Sequence, residues 1–101
     1  MTVLLQIDFP YAGPFGREMT DAFAGLAESI AQEKGLIWKI WTENAQTGES
    51  GGIYLFENMA SAEAYLTMHT ARLESFGVQG MRSKLFQVNE DLSRMTKAYL
   101  G

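Results

Sequence analysis

The side chains with most to offer chemically are one histidine, one tyrosine on a strand, two tryptophans and an arginine three residues past the histidine. His69 is the only imidazole in 101 residues. The run Ala62, Leu66, His69, Leu73, Phe76 is spaced 4, 3, 4, 3, which sets the ring on the inward stripe of a helix. A neutral imidazole there could act as a general base, drawing a proton from a bound substrate. The competing role is a buried histidine bonded to backbone. Tyr54 could bond a substrate carbonyl or stabilise an enolate, or could end a core contact with a wet tip. His69 and Tyr54 are the candidate catalytic pair. Trp38 and Trp41 could wall a flat ring system, or serve core and subunit packing. Arg72 shares a helix side with His69 and could hold an acidic substrate group, or be solvated. Gln6 projects with Asp8 from the less apolar face of the first strand, where Lys84 can neighbour them. A substrate contact or an ion pair inside a subunit interface accounts for these equally.

Composition removes several chemistries. With no cysteine there is no thiolate nucleophile and no disulfide, and one histidine without clustered carboxylates makes no common zinc or heme site. Gly13-Pro14-Phe15-Gly16 reads as a turn into a helix, not a phosphate loop. Glu49-Ser50-Gly51 lies in a hairpin, not at a strand-to-helix elbow. The net charge of −4, from 8 basic and 12 acidic residues, argues against nucleic acid as a partner. Basic residues gather late: Arg82, Lys84, Arg94 and Lys97 follow residue 80 with only Glu90 and Asp91 against them. No apolar run reaches membrane-spanning length, and MTVLLQIDFPY lacks the basic start of a signal peptide, so no membrane partner and a cytoplasmic location are expected.

The length fits one domain over residues 1 to 101. Val3, Leu5, Ile7 and Phe9 alternate with Leu4, Gln6 and Asp8 in a first strand. Helical spacing takes over near Phe15, with Met19, Phe23, Leu26 and Ile30 on one side, and should stop near Lys34 and Gly35. A strand over 35 to 43, a polar turn over Asn44 to Gly52 and a strand over 53 to 57 form a hairpin. Asn58 caps a helix from Met59 to about Ser75. A last strand follows over 78 to 88, and Asn89 caps a short helix bearing Leu92, Met95 and Tyr99. This order is the ferredoxin-like βαββαβ pattern of α+β proteins, with two helices on one face of a four-stranded antiparallel sheet.

The hairpin is apolar on both faces. Trp38 and Trp41 are an odd number apart, so without a bulge they point to opposite sides. Leu36 and Ile40 accompany Trp38, and this aliphatic face is expected to meet the helices, with Trp41 on the far side. Two helices cover one face only, and a large open apolar patch is rare on a monomer. A homodimer packed sheet against sheet is therefore expected.

Six segments carry a specific resemblance: GPFG (Gly13 to Gly16), LAESI (Leu26 to Ile30), WKIWTE (Trp38 to Glu43), GGIYLF (Gly51 to Phe56), AYLTMHTARL (Ala64 to Leu73) and VNEDLS (Val88 to Ser93). In order and over nearly the whole chain, they resemble the YdhR-like mono-oxygenase family of the dimeric α+β barrel superfamily. That superfamily holds cofactor-independent oxygenases of polycyclic phenols, heme-degrading enzymes, lactone isomerases, dehydratases and proteins with no demonstrated reaction. The resemblance implies a cavity within each subunit, between sheet and helices. It also implies a mono-oxygenase of a hydrophobic, aromatic small molecule that needs no metal or organic cofactor. The rival is a non-catalytic ligand-binding or stress-related dimer with the same cavity. A third option is isomerisation or dehydration, because fold alone does not select function.

Overall fold

The structure, a computed structural model, describes residues 1 to 101. Its elements are β1 (Val3–Pro10), α1 (Gly16–Ala31), β2 (Leu36–Asn44), β3 (Glu49–Phe56), α2 (Met59–Ser75), β4 (Arg82–Gln87) and α3 (Glu90–Met95). The strands form one antiparallel sheet in the order β2-β3-β1-β4. This is the ferredoxin-like arrangement, with β1 and β3 central.

Strict alternation in β1 buries Val3, Leu5, Ile7 and Phe9. Register places Leu5 opposite Tyr54 and Val3 opposite Phe56, so these side chains share the helix-facing side. With Ile30 from α1 and Ala62, Tyr65 and Leu73 from α2 they form the core. Full burial of each large aliphatic contributes about 1.5–3 kcal/mol. Asn58 caps α2 by accepting from Ser61 N at 2.8 Å, and Asn89 caps α3 by accepting from Leu92 N at 3.1 Å, both as the sequence indicates. No side chain of its own caps α1. Glu43 on β2 instead accepts from Gly16 N at 2.8 Å, which fixes the start of α1 against the hairpin.

Two boundaries and the inward stripe of α2 differ from the sequence expectation. β3 starts at Glu49, not Ile53, because Gly51 and Gly52 belong to the strand and not to the turn. β4 starts at Arg82, since Gly80 takes φ 69°, outside the extended region, while Val78 and Met81 pack on the core. On α2 the inward stripe includes the buried Tyr65, whereas Phe76 is 61% exposed.

The decisive difference is a bulge in β2. Leu36 pairs with Phe56 and Trp38 with Leu55, which leaves Ile37 as the extra residue. Beyond it the alternation is inverted. Lys39 pairs with Tyr54 and Trp41 with Gly52, so Lys39 and Trp41 face the helices. Trp38 and Ile40 lie on the far face, correcting the expectation that Trp38 looks toward the helices. Its Nε1 donates to Tyr99 O at 2.8 Å and fastens the C-terminal residues to that side. Ile40 and Phe86 are 53% and 46% exposed on the same face.

Candidate functional site

A cavity of about 540 Å³ lies between the sheet and the two long helices. β2 supplies Lys39 and Trp41, β3 supplies Tyr54, and α2 supplies His69 and Leu73. From α1, Met19, Phe23 and Leu26 close the opposite wall. Its exposed lining, Pro10 and Ala12 on one side and Phe76, Gly77 and Gln79 on the other, marks the mouth between the loops that follow β1 and α2. The volume is within the range of small-molecule sites, roughly 300–1,000 Å³.

The walls are aromatic. Phe23 stacks on Trp41 with centroids 6.4 Å apart and planes at 19°. Tyr11 meets Phe15 edge-on at 5.3 Å and Phe23 at 6.4 Å, so the loop after β1 continues the same surface. Tyr65 stacks on the His69 ring at 4.9 Å and packs on Tyr54 at 5.0 Å. The Tyr65 hydroxyl is buried with no hydrogen-bond partner.

His69 lines the cavity as its helical position indicates, and it is 3% exposed. Its partner is a side chain, not backbone. Arg72 Nε and Nη2 lie 3.1 and 2.9 Å from His69 Nδ1. A guanidinium only donates, so Nδ1 is the acceptor and the neutral ring carries its proton on Nε2. Burial, then the charges of Arg72 and Lys39, push the imidazole down to about 3. Near neutral pH His69 is therefore an uncharged hydrogen-bond donor whose basic lone pair is already occupied. This arrangement disfavours the general-base role read from the sequence. Arg72 orients this ring and does not itself line the cavity.

In the sequence Lys39 is a single cation on the strand, between Ile37 and Trp41 on one face. In the fold its Nζ lies 3.4 Å from the centroid of the Trp41 indole and 4.6 Å from that of Tyr54. Burial first, and repulsion from Arg72 second, bring it down to about 7. The ring faces pull the other way, by about 0.5–2 kcal/mol. Tyr54 is pushed up, chiefly by burial, so its hydroxyl keeps its proton. It serves as a donor or acceptor of hydrogen bonds, not as a charged group.

Gln6 does not reach this site. It is exposed on the far face, opposite Lys84 and Ile53. Beside it, Arg82 bridges Asp8 and Glu49 with Nη2 at 2.5 and 2.8 Å, so the ion pair in this region belongs to Arg82 and not Lys84. The site thus brings together His69, Tyr54 and Trp41, with Arg72 behind the histidine, and leaves out Trp38 and Gln6. The only clue to Lys39 was a lone cation in an otherwise apolar two-sided strand. No group of three His, Cys, Asp or Glu side chains is placed to hold a metal ion.

The family model described as "Putative mono-oxygenase ydhR" matches residues 4–99. The chain belongs to this family. No curated protein matches it. Among solved structures it is similar to a variant of SnoaB, a cofactor-independent oxygenase from Streptomyces nogalater, with a TM-score of 0.61 and 17% identity. That likeness covers 87% of this chain and 93% of the other. It is also similar to a protein described as a putative antibiotic biosynthesis monooxygenase from Deinococcus radiodurans, at TM-score 0.59 and 14% identity over 88% and 93% of the two chains. At such identities the two structures show a shared fold. No helix of this ydhR-family chain is long and apolar enough to cross a membrane.

Proposed function

We propose that this ydhR-family protein is a cofactor-independent mono-oxygenase acting on a flat, hydrophobic aromatic molecule. The observation that carries the proposal is the cavity itself, aromatic on opposed walls and floored by polar groups from β2, β3 and α2. The reaction class is a four-electron oxidation of an activated ring by O2, as when an anthrone CH2 becomes a carbonyl or a quinol becomes a hydroxyquinone. Loss of a proton makes the substrate electron-rich, O2 is reduced, one oxygen atom enters the product and the other leaves as water. The protein's part is to enclose the ring, stabilise its anion and keep bulk water out. Trp41 and Phe23 hold the flat face, while Tyr54 and His69 Nε2 offer hydrogen bonds to the developing oxyanion.

Oxygen uptake with a panel of quinols, anthrones and flavonols tests this reading. Trp41→Ala is expected to lower uptake more than about tenfold, since it removes both the stacked wall and a ring beneath Lys39. Trp38→Phe, which alters the far face alone, should leave uptake unchanged. Equal loss in both variants would count against the cavity as the site. Saturable binding without uptake would favour a non-catalytic binder.

The far face bears on assembly. Ile40 and Phe86 stand exposed there beside Leu4 and Ile53, and Tyr99 is held to it through Trp38. This exposed surface supports a homodimer packed sheet to sheet. Ile40→Glu is expected to yield monomers in sedimentation equilibrium. A dimer unaffected by that charge would place the interface elsewhere.

A further inference from the structure

We infer that Lys39 is the proton acceptor of the cavity, and that the ligand it selects is an aromatic compound with an ionisable hydroxyl, bound as its anion against the lysine. The inference rests on the cavity being the ligand site, as proposed above.

Three features of the geometry lead there. The first is position: Lys39 Nζ sits among the cavity rings, over Trp41 and Tyr54, while its chain runs across Gly52. A Cβ at Gly52 would lie 2.6 Å from Lys39 Cε and 3.1 Å from the Tyr54 ring. The missing side chain is what lets the lysine reach in.

The second is the absence of a counter-charge. Tyr54 faces Lys39 from β3, His69 and Arg72 face it from α2, and Tyr11 lies on the loop after β1. The lining from α1 is Met19, Phe23 and Leu26, with nothing to titrate. No aspartate or glutamate lines the cavity, and neither Lys39 nor Arg72 is in a salt bridge. Glu33, just past α1, acts on Tyr65 instead. A cation, Arg72, and an amine that can become a second one thus adjoin an apolar space that lacks an anion. Ligand chemistry that supplies one negative charge inside a flat apolar body completes it.

The third is that the other nitrogen base is occupied. With Arg72 on Nδ1, His69 has only its Nε2 proton to offer. The lysine side chain, held near neutrality, has a free electron pair in its amine form. In the transfer the ligand O–H bond breaks, its electron pair stays on oxygen, and a new N–H bond forms at Nζ. A neutral amine and a neutral hydroxyl become an ammonium and an aryloxide. The new ammonium then has both the aryloxide and the two ring faces as partners, and His69 Nε2–H remains free to donate to the oxygen.

The test uses 2-naphthol and its non-ionisable methyl ether, 2-methoxynaphthalene, with wild type and Lys39→Met at about pH 8, where a free phenol of ordinary acidity is mostly un-ionised. Absorption distinguishes naphthol from naphtholate. Wild type is expected to bind naphthol as naphtholate, which at this pH requires a shift of at least about a hundredfold in its acidity, and to prefer it to the ether. Lys39→Met, which keeps an unbranched apolar chain, should bind both without ionisation and lose that preference. Wild type holding un-ionised naphthol, or Lys39→Met retaining naphtholate, would overturn the lysine assignment while leaving the cavity reading intact. Failure of wild type to bind either compound would sink both. If Lys39→Met does not fold, nitrogen NMR of wild type decides: the Lys39 ammonium signal must grow on adding naphthol and stay unchanged with the ether.

Discussion

Gly51→Ala is expected to abolish stable folding, at a cost of about 4 kcal/mol or more. Gly51 pairs with Asp8 across the two central strands. A Cβ there would fall 2.8 Å from Asp8 Cα and closer still to the Ile7 carbonyl oxygen. Both obstacles are backbone, so neither can rotate away as a side chain would. Relief requires β1 and β3 to separate, and that opens the ladder on which Leu5, Ile7, Tyr54 and Phe56 are mounted. Such a loss is comparable to the whole stability of a small domain. Gly25 provides the control. It lies within α1, exposed, with nothing within 4 Å of an added Cβ. Gly25→Ala should raise stability by about 0.5–1 kcal/mol through helix propensity. Denaturant midpoints of the two variants check both signs at once. A Gly51→Ala protein with a wild-type midpoint would mean the sheet is not paired in this register.

The second large effect concerns pH. An unfolded chain holds Lys39 with its ordinary affinity, near 10.5, whereas the folded protein brings it down to about 7. Between these values the unfolded state binds a proton that the folded state lacks, so stability must rise with pH across that window. The slope from this one group approaches about 1.4 kcal/mol per pH unit at its steepest. Below about 7 the ammonium is present in both states and the full cost of burying it persists. Thermal unfolding of wild type from pH 7 to 9.5 should therefore show a midpoint that climbs relative to Lys39→Met. In the variant, only the remaining groups contribute. His69 extends the pattern to acid: with the folded ring at about 3, stability falls as pH drops from 6.5 toward that value. Parallel pH curves for wild type and Lys39→Met would show that Lys39 is solvated and titrates normally.

Much of this was readable from spacing alone. The alternation in β1 and the 4, 3, 4, 3 stripe on α2 place Leu5, Ile7, His69 and Leu73 inside, because each face is a direct projection of its period. The order of elements and the caps at Asn58 and Asn89 follow from equally local chemistry. What failed depended on distant parts of the chain. The bulge at Ile37 has no local signature, since Leu36, Ile37 and Trp38 are all strand formers and any could be the extra residue. One residue's slip exchanged Trp38 for Trp41 and turned Lys39 toward the helices. Gly51 and Gly52 read as turn residues because glycine usually marks a turn. Here one admits the neighbouring backbone and the other admits a lysine side chain. Which nitrogen of His69 meets Arg72 is likewise beyond spacing, because a helical period cannot distinguish Nδ1 from Nε2.

The two indoles on β2 also give the molecule a pair of separate optical reporters. Trp41 is stacked on Phe23 beneath Lys39, whereas Trp38 is tied to the carbonyl of Tyr99 on the opposite face of the same strand. With only these two tryptophans in the chain, replacing either by phenylalanine leaves a single emitter. Fluorescence from the Trp41-only protein would follow occupancy of the cavity and the charge on Lys39. The Trp38-only protein would follow release of the C-terminal residues and burial of the far face. Filling the cavity and the proposed association of the far face with a second copy could then be timed in parallel measurements on the two single-tryptophan proteins, and their order read from which signal changes first.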